Sequence, residues 1–452
     1  MAASAPTPLR PAPVRPQKTG AEIALADTFS AVRAALPGGP EVAARRSAAF
    51  DTFADAGLPH RRVESWRYTD LRALMRDAKP LAAPPDAEAK AAAAGAGALL
   101  AGVGARRLVI VNGAFVPELS DLAALEPGLS IRAMAEALAT GDALVAGQLG
   151  QTIASDDAVL AINTALMGDG VVIHVAPGAT IARPVELVFV TTGAEAVATF
   201  TRSLVVVEDG ASATFIETHE GPAGVAYQVN TALEMVVGAD AQVERIKVTA
   251  EGADAVHLAT LLARVDARAR FSNTFFTTGG AVVRNQLLIH LAGEGINAHM
   301  GGVSLLGGKQ HADTMLSVDH AGPACESRES FRAVLDGSSQ DIFQGKIAVR
   351  QAAQKTDARM LSRALLLTPT AEACNKPELE IFADDVQCGH GCTTGTLDQQ
   401  LKFYLMARGI PAKTAEALLI QAFVGEVVDA IGNEAVREAL TQATQSWLMG
   451  RE

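Results

Sequence analysis

Cys388, His390 and Cys392 stand at alternate positions, with glycines between them, in the stretch DDVQCGHGCTTGTLD. Thiolate sulfur and imidazole nitrogen are the usual donors of zinc and iron–sulfur sites. Residues two apart on a strand share a face, so on a strand the three side chains line up. A rise of ~3.3 Å per residue puts the outer two ~13 Å apart, too far for one ion to reach all three unless the glycines bend the chain. The same span opposes a Cys388–Cys392 disulfide, which needs Cα atoms within about 7 Å. Two readings remain. One is a two-ligand half-site where about four ligands are normal, completed by another chain; the other is a glycine-rich turn carrying buried cysteines.

The remaining reactive residues give weaker signals. His299, His311 and His320 have no metal-binding spacing, and HADTMLSVDH reads as an alternating strand with a solvated polar face. GGVSLLGGKQH has misplaced glycine and lysine offsets for a phosphate-binding loop, and no Ser or Thr follows Lys309, so it reads as a turn. Cys325 and Cys374 are isolated thiols at turns, expected to be buried as small apolar residues. Asp384 and Asp385 are adjacent, and on a strand they would face opposite ways. They could not act together on a glycosidic bond.

Composition narrows the function classes. Of 452 residues, 49% are hydrophobic and 19% charged, enough to bury a large core. A formal charge of −12 and only 4% aromatic residues disfavour nucleic acid as a partner. Four cysteines are too few for a disulfide framework in a chain of this size and fit a reducing compartment. No apolar run approaches the ~18 residues of a membrane helix, and the Pro-rich start has no secretory core, so the expected location is the cytoplasm with no integral membrane segment.

Several elements are legible around the motif. Residues 1–20 read as a disordered tail, and 21–165 as a helical, then mixed α/β, region. It holds helices in AEIALADTFSAVRAAL and in EVAARRSAAFDTFADAG, the latter ending at Gly57, and a hairpin turn at Asn112-Gly113. The Pro/Ala-rich 80–98 reads as a linker. From 166 to 395 short β-rich runs alternate with small turns. Gly178, Gly210 and Gly238 each precede Ala, and Asp266-Ala267 follows 28 residues after Gly238, the same step as from Gly210. Further turns are expected at Gly307-Gly308 and Asp336-Gly337. Such a repeat without intervening helices predicts a mainly β fold, a β-solenoid whose coils stack to bury their apolar faces, in preference to a sandwich. Residues 396–452 read as helices. Thr396 and Gln399 have capping-box spacing, Leu397, Leu401, Tyr404 and Leu405 form a stripe, and a second helix starts near Pro411 with an apolar face including Leu418, Phe423 and Val427. These faces are expected either to pack on the end of the solenoid or to dock a partner.

The run AQKTDARMLSRALLLTPTAEACNKPELEIFADDVQCGHGCTTGTLDQQLKFYLMARGI resembles the C-terminal signature of the SufB/SufD family of the SUF iron–sulfur cluster assembly machinery, in its SufD form. GLPHRRVESWRYTDL, VNGAFVPELSDL and AINTALMGDGVVIHV extend the resemblance more loosely over the chain. The resemblance implies a right-handed parallel β-helix core flanked by N-terminal and C-terminal helical regions. It also implies a non-catalytic scaffold that pairs with a SufB-like paralogue and docks a SufC-like ABC-type ATPase through its C-terminal helices. His390 would then help to hold a transient iron–sulfur cluster shared with that paralogue, with Cys388 as an interface thiol. The resemblance leaves open whether a flavin takes part. Cys392 departs from the family pattern, where alanine is expected. The alternatives are the SufB-type paralogue itself and a β-helix carbohydrate-active enzyme.

Overall fold

The computed structural model describes residues 17–451. Its centre is a parallel β-solenoid. Successive strands go alternately to a ten-stranded and a nine-stranded sheet, so each coil lays one strand in each. Side chains alternate in and out along every strand. The inward set, such as Val207, Val237, Val265, Phe271 and Leu291, forms the main apolar core. The outward sets are also largely buried, because helices cover them, and this makes the strands read as nearly continuous apolar runs.

Turn length varies from coil to coil. Val256 pairs with Val282 in one coil and Gln340 with Glu372 in another, a turn of 26 and then of 32 residues. What stays constant is one left-handed residue per coil. Gly178, Gly210, Asp240, Arg268, Gly295, Ala324 and Lys355 all have φ between 57° and 68°. The N–H of each donates to a carbonyl in the next coil, from Gly178 to Asp209 at 2.8 Å through to Lys355 to Asp385 at 2.6 Å. The expected equivalence of Gly210 and Gly238 is therefore two residues out. Asp240 stacks on Gly210, and Gly238 pairs with Val207 one step earlier.

The solenoid is closed at one end and open at the other. At the N-terminal end the parallel strand Arg106–Val111 turns through Asn112-Gly113 into the two-residue strand Ala114–Phe115, and Leu129–Ala133 runs antiparallel to Val171–Val175. At the C-terminal end Glu372–Ile381 and Gln387–Thr396 are the outermost strands of the two sheets. The stretch 80–98 is not a linker. Asp86 caps a helix over Ala87–Ala93, and Ala93 and Ala96 are buried against Val109 and Val188. Alanine is the best helix former, and its small side chain allows close approach to a sheet. Thr19 caps the first helix, Gly20–Val32, so the Pro-rich tail expected at 1–20 overlaps the fold at 19–20 and otherwise falls mostly outside the described residues.

The segment around SWRYTD clamps the N-terminal region to the outer face of the nine-stranded sheet. Trp66 is fully buried, its Nε1 donates to Asp157 at 2.8 Å, and the Arg284 guanidinium lies 4.1 Å from its ring centroid. Arg284 also pairs with Asp313, while the Thr69 hydroxyl sits 2.8 Å from His311 Nε2. At the other terminus, helices Ala412–Val428 and Glu434–Met449 lie along the flank of the ten-stranded sheet. Ile420, Val424, Val428 and Leu440 pack there on Ile246, Val248 and Val303, not on the solenoid end. Helix Gln399–Met406 is capped by Asp398, not by Thr396, and buries none of its own side chains. No described helix is long and apolar enough to cross a membrane.

A left-handed L-residue costs roughly 1–2 kcal/mol, part of which glycine returns through its own entropy. Ala324→Gly, at an exposed turn, is expected to be neutral or to stabilise by up to ~1 kcal/mol in urea unfolding. A Cβ on Gly322, two residues away, would stand 1.9 Å from the Gly293 carbonyl oxygen, so Gly322→Ala should cost ~2 kcal/mol or more.

Candidate functional site

The cysteine–histidine motif forms the last strand of the ten-stranded sheet, Gln387–Thr396. Its register sets Cys388 beside Ala358, His390 beside Met360 and Cys392 beside Ser362. Ala358 and Met360 belong to the solenoid core, so the motif occupies the inward face of the final coil. Among the described residues no further coil covers it. Cys388 is half-buried against the core, whereas His390 and Cys392 are exposed. Burial pushes the Cys388 thiol above its usual range, with Asp357 and Glu329 adding to the effect. It is therefore a neutral thiol until a metal or a base takes its proton.

Two columns run inward from the motif. Ser327, Ala358 and Cys388 stack in one, and Glu329, Met360 and His390 in the other. Glu329 is 2% exposed, and neither carboxylate oxygen has a hydrogen-bond partner. Burial raises its pKa to about 8, so it stands neutral beneath the site at neutral pH. Beside the motif, Ser362 Oγ lies 2.6 Å from Asn375 Oδ1, and Asn375 Nδ2 donates to Thr394 at 3.4 Å. These contacts tie the strands Asp357–Leu366, Glu372–Ile381 and Gln387–Thr396 together across the open end.

The other residues singled out in the sequence lie elsewhere. Among the described residues no third His, Cys, Asp or Glu comes within metal-sharing distance of Cys388 and His390. Cys325 is buried as expected, but Cys374 is exposed, because its strand is the uncovered edge of the nine-stranded sheet. His311 and His320 are not on a solvated face. His311 is buried under Thr69, and His320 points into the solenoid 3.0 Å from Ser327 Oγ. His299 is half-buried. Asp384 and Asp385 sit in the bend before the last strand, where Asp385 pairs with Lys355. Lys309 lies in a turn between strands, as the failed phosphate-loop spacing implied.

Sequence reading missed a second set of polar residues, inside the solenoid: Glu217, His219, Arg245, Lys247, Glu251 and His257, all buried. The signal was available in FIETHEG and VERIKVTAEG, two charged runs that fall in register once the 30-residue offset of Ser212 and Gln242 is known.

Residues 24–187 match the profile of the SufBD protein N-terminal region, and residues 189–423 match that of the SufBD core domain of the SUF system for iron–sulfur cluster assembly. The chain belongs to the SufBD family. It is 31% identical to an iron–sulfur cluster assembly SufBD family protein of Synechocystis over 88% of this chain and 89% of the relative. It is 30% identical to the iron–sulfur cluster assembly protein SufD of Escherichia coli over 84% of this chain and 87% of the relative. To SufD of Bacillus subtilis it is 28% identical over 63% and 65% of the two chains. Membership of the SufBD family favours iron–sulfur cluster assembly over the carbohydrate-active reading, and the core profile includes the whole cysteine–histidine strand.

Glu329 gives the open end a measurable signature. Its folded pKa lies above the unfolded value, so the native state binds the extra proton between about pH 4.5 and about 8, and stability falls as pH rises through that window. Glu329→Gln should abolish that part of the slope, at most ~1.4 kcal/mol per pH unit, in urea unfolding series at pH 5 and pH 8.

Proposed function

We propose that this chain is a non-catalytic scaffold subunit of the SUF system, of the SufD type, and that its open solenoid end forms one wall of a cluster-building site. The observation that carries the reading is the uncovered last coil. Cys388 and His390 offer two donors on a surface where the described residues supply no more, on one of the two ten-residue strands at the sheet edges. A SufB-like paralogue meeting that end would satisfy the free strand edges and bring the missing ligands. The relatives named SufD support this choice of branch over SufB. His390 then serves as a ligand to the nascent cluster, which is cargo passing through the interface, and Cys388 as the thiol beside it.

The C-terminal helices supply a second surface. Leu401, Phe403, Tyr404 and Met406 are all exposed on Gln399–Met406, and Leu418 is exposed on the next helix. Exposed apolar side chains of this kind suit a protein partner, and a SufC-like ATPase is the partner the SUF system offers. The helix follows the cluster strand after only Leu397 and Asp398. Movement of a docked ATPase would therefore act directly on the strand bearing His390.

Co-purification under low oxygen should recover this chain with a P-loop ATPase and a second solenoid paralogue; recovery of a monomer or homodimer alone would refute the scaffold reading. His390→Ala should leave the complex assembled and lower its iron and sulfide after anaerobic reconstitution. Unchanged content would remove His390 from the site. Phe403→Asp should reduce ATPase capture at least tenfold while leaving the paralogue bound.

A further inference from the structure

The solenoid interior is apolar along most of its length but carries a polar layer in its middle coils. Glu217 and His219 face inward from strand Ser212–Glu220, and Arg245, Lys247 and Thr249 from Gln242–Ala250. His257 and Asn285 approach from the opposite sheet, and Glu251 from the turn that follows Ala250. Each of these is at most 5% exposed, and His219, Thr249 and His257 are fully buried. Part of the layer is self-contained. Arg245 donates to Glu217 and to Asn273, both at 2.6 Å.

The rest is incomplete. His257 Nδ1 lies 2.9 Å from Glu251 Oε1, and its Nε2 lies 2.7 Å from Lys247 Nζ, which also donates to Asn285 at 2.8 Å. His219 Nε2 is 3.5 Å from Glu217 Oε2. Among the described residues His219 Nδ1 and Thr249 Oγ1 are buried without any partner, and Glu251 Oε2 has only the neighbouring Tyr227 hydroxyl, which itself accepts from the Gly252 N–H. Buried polar atoms are nearly always satisfied, by protein, water or an ion. A cavity of about 10 Å³, room for one water-sized sphere, has His219, Glu251, Thr191 and Thr201 in its wall.

We propose that His219, Glu251 and His257 bind one divalent transition-metal cation, of the Zn²⁺ or Fe²⁺ class, inside the solenoid. Each offers a donor atom within 4.8 Å of the other two. Two imidazoles and a carboxylate form a donor set suited to these borderline cations. Metal–ligand bonds of ~2.1 Å place neighbouring donors ~3 Å apart, close to the separation of His257 Nδ1 and Glu251 Oε1. Second contacts hold both rings, as metal-binding histidines require. Glu217 faces the far nitrogen of His219, and Phe189 stacks on that ring at a centroid distance of 4.5 Å; a metal on His257 Nδ1 leaves Nε2–H facing Lys247 Nζ at 2.7 Å, where Lys247 can accept only as the neutral amine. Lys247 is also the cation nearest the ligands. Burial, helped by Arg245, lowers its pKa to about 7, and Glu217 and Glu251 act against that shift. Full burial implies that the ion enters during folding and leaves slowly.

The test uses the full-length chain, dialysed against EDTA in the native state and assayed for metal by mass spectrometry. It is then unfolded, stripped and refolded with Zn²⁺, with anaerobic Fe²⁺, or with Co²⁺. About one equivalent per chain is expected in the wild type and in His390→Ala, falling at least tenfold in His219→Asn and in Glu251→Gln. Which of Zn²⁺ and Fe²⁺ is retained identifies the ion. The Co²⁺ form should show visible d–d bands without the near-ultraviolet thiolate band that a site at Cys388 would give. Because that spectrum is read on the wild type, misfolding of a variant does not rescue the proposal. Metal-free wild type after refolding with all three ions, metal retained in both variants, or a thiolate band lost in Cys388→Ser would each overturn it. None of these readouts depends on cluster assembly.

Discussion

Everything in this molecule depends on parallel, in-register stacking of one coil on the next. A parallel ladder satisfies the backbone only while another coil follows, and it fixes which side chains stand above one another. The left-handed turn residue in each coil maintains that register, because its N–H reaches the carbonyl of the next coil at nearly constant length although the coils differ in residue number. The ladder ends at Asp385, two residues before the strand that carries the cysteine–histidine motif. The position of the motif is thus the position at which stacking stops.

Stacking also explains why one fold can hold such different chemistry. A column of inward residues is a fixed series of environments, and a polar residue keeps neighbours of known identity above and below it. Glu329 is held neutral because Met300 and Met360 flank it in the ladder and burial removes its solvent. Arg245 is buried between Glu217 and Asn273 of the adjoining coils, each accepting a hydrogen bond from it at 2.6 Å. On the outer faces the same regularity offers long apolar flanks. The C-terminal helices cover one flank, and the buried Trp66–Arg284 clamp secures the N-terminal region to the other.

Much of this was legible from residues alone. Repeated turns and apolar strands disclosed the solenoid, the hairpin at Asn112-Gly113 is present, and alternate spacing placed Cys388, His390 and Cys392 on one face. The register was harder to read, because Asp240, Arg268, Ala324 and Lys355 occupy turn positions where sequence logic looks for glycine. Neighbouring coils impose that conformation, so it leaves little local trace. The alanine-rich stretch read as a linker because its packing relies on small size and not on bulk. His311 and His320 misled for a related reason. An alternating strand has a polar face, but only the full fold reveals that one side meets Thr69 and the other the solenoid interior.

The unlike ends of the solenoid carry a consequence for assembly. The N-terminal end finishes in short antiparallel strands, a poor template for further growth, whereas the C-terminal end presents two ten-residue edges. If both ends were open, head-to-tail addition would generate a filament without limit. With only one adhesive end, two solenoids that associated through it could meet only face to face, and the union would consume both adhesive surfaces at once. Addition through these edges would therefore terminate at a pair, in an architecture otherwise prone to fibres.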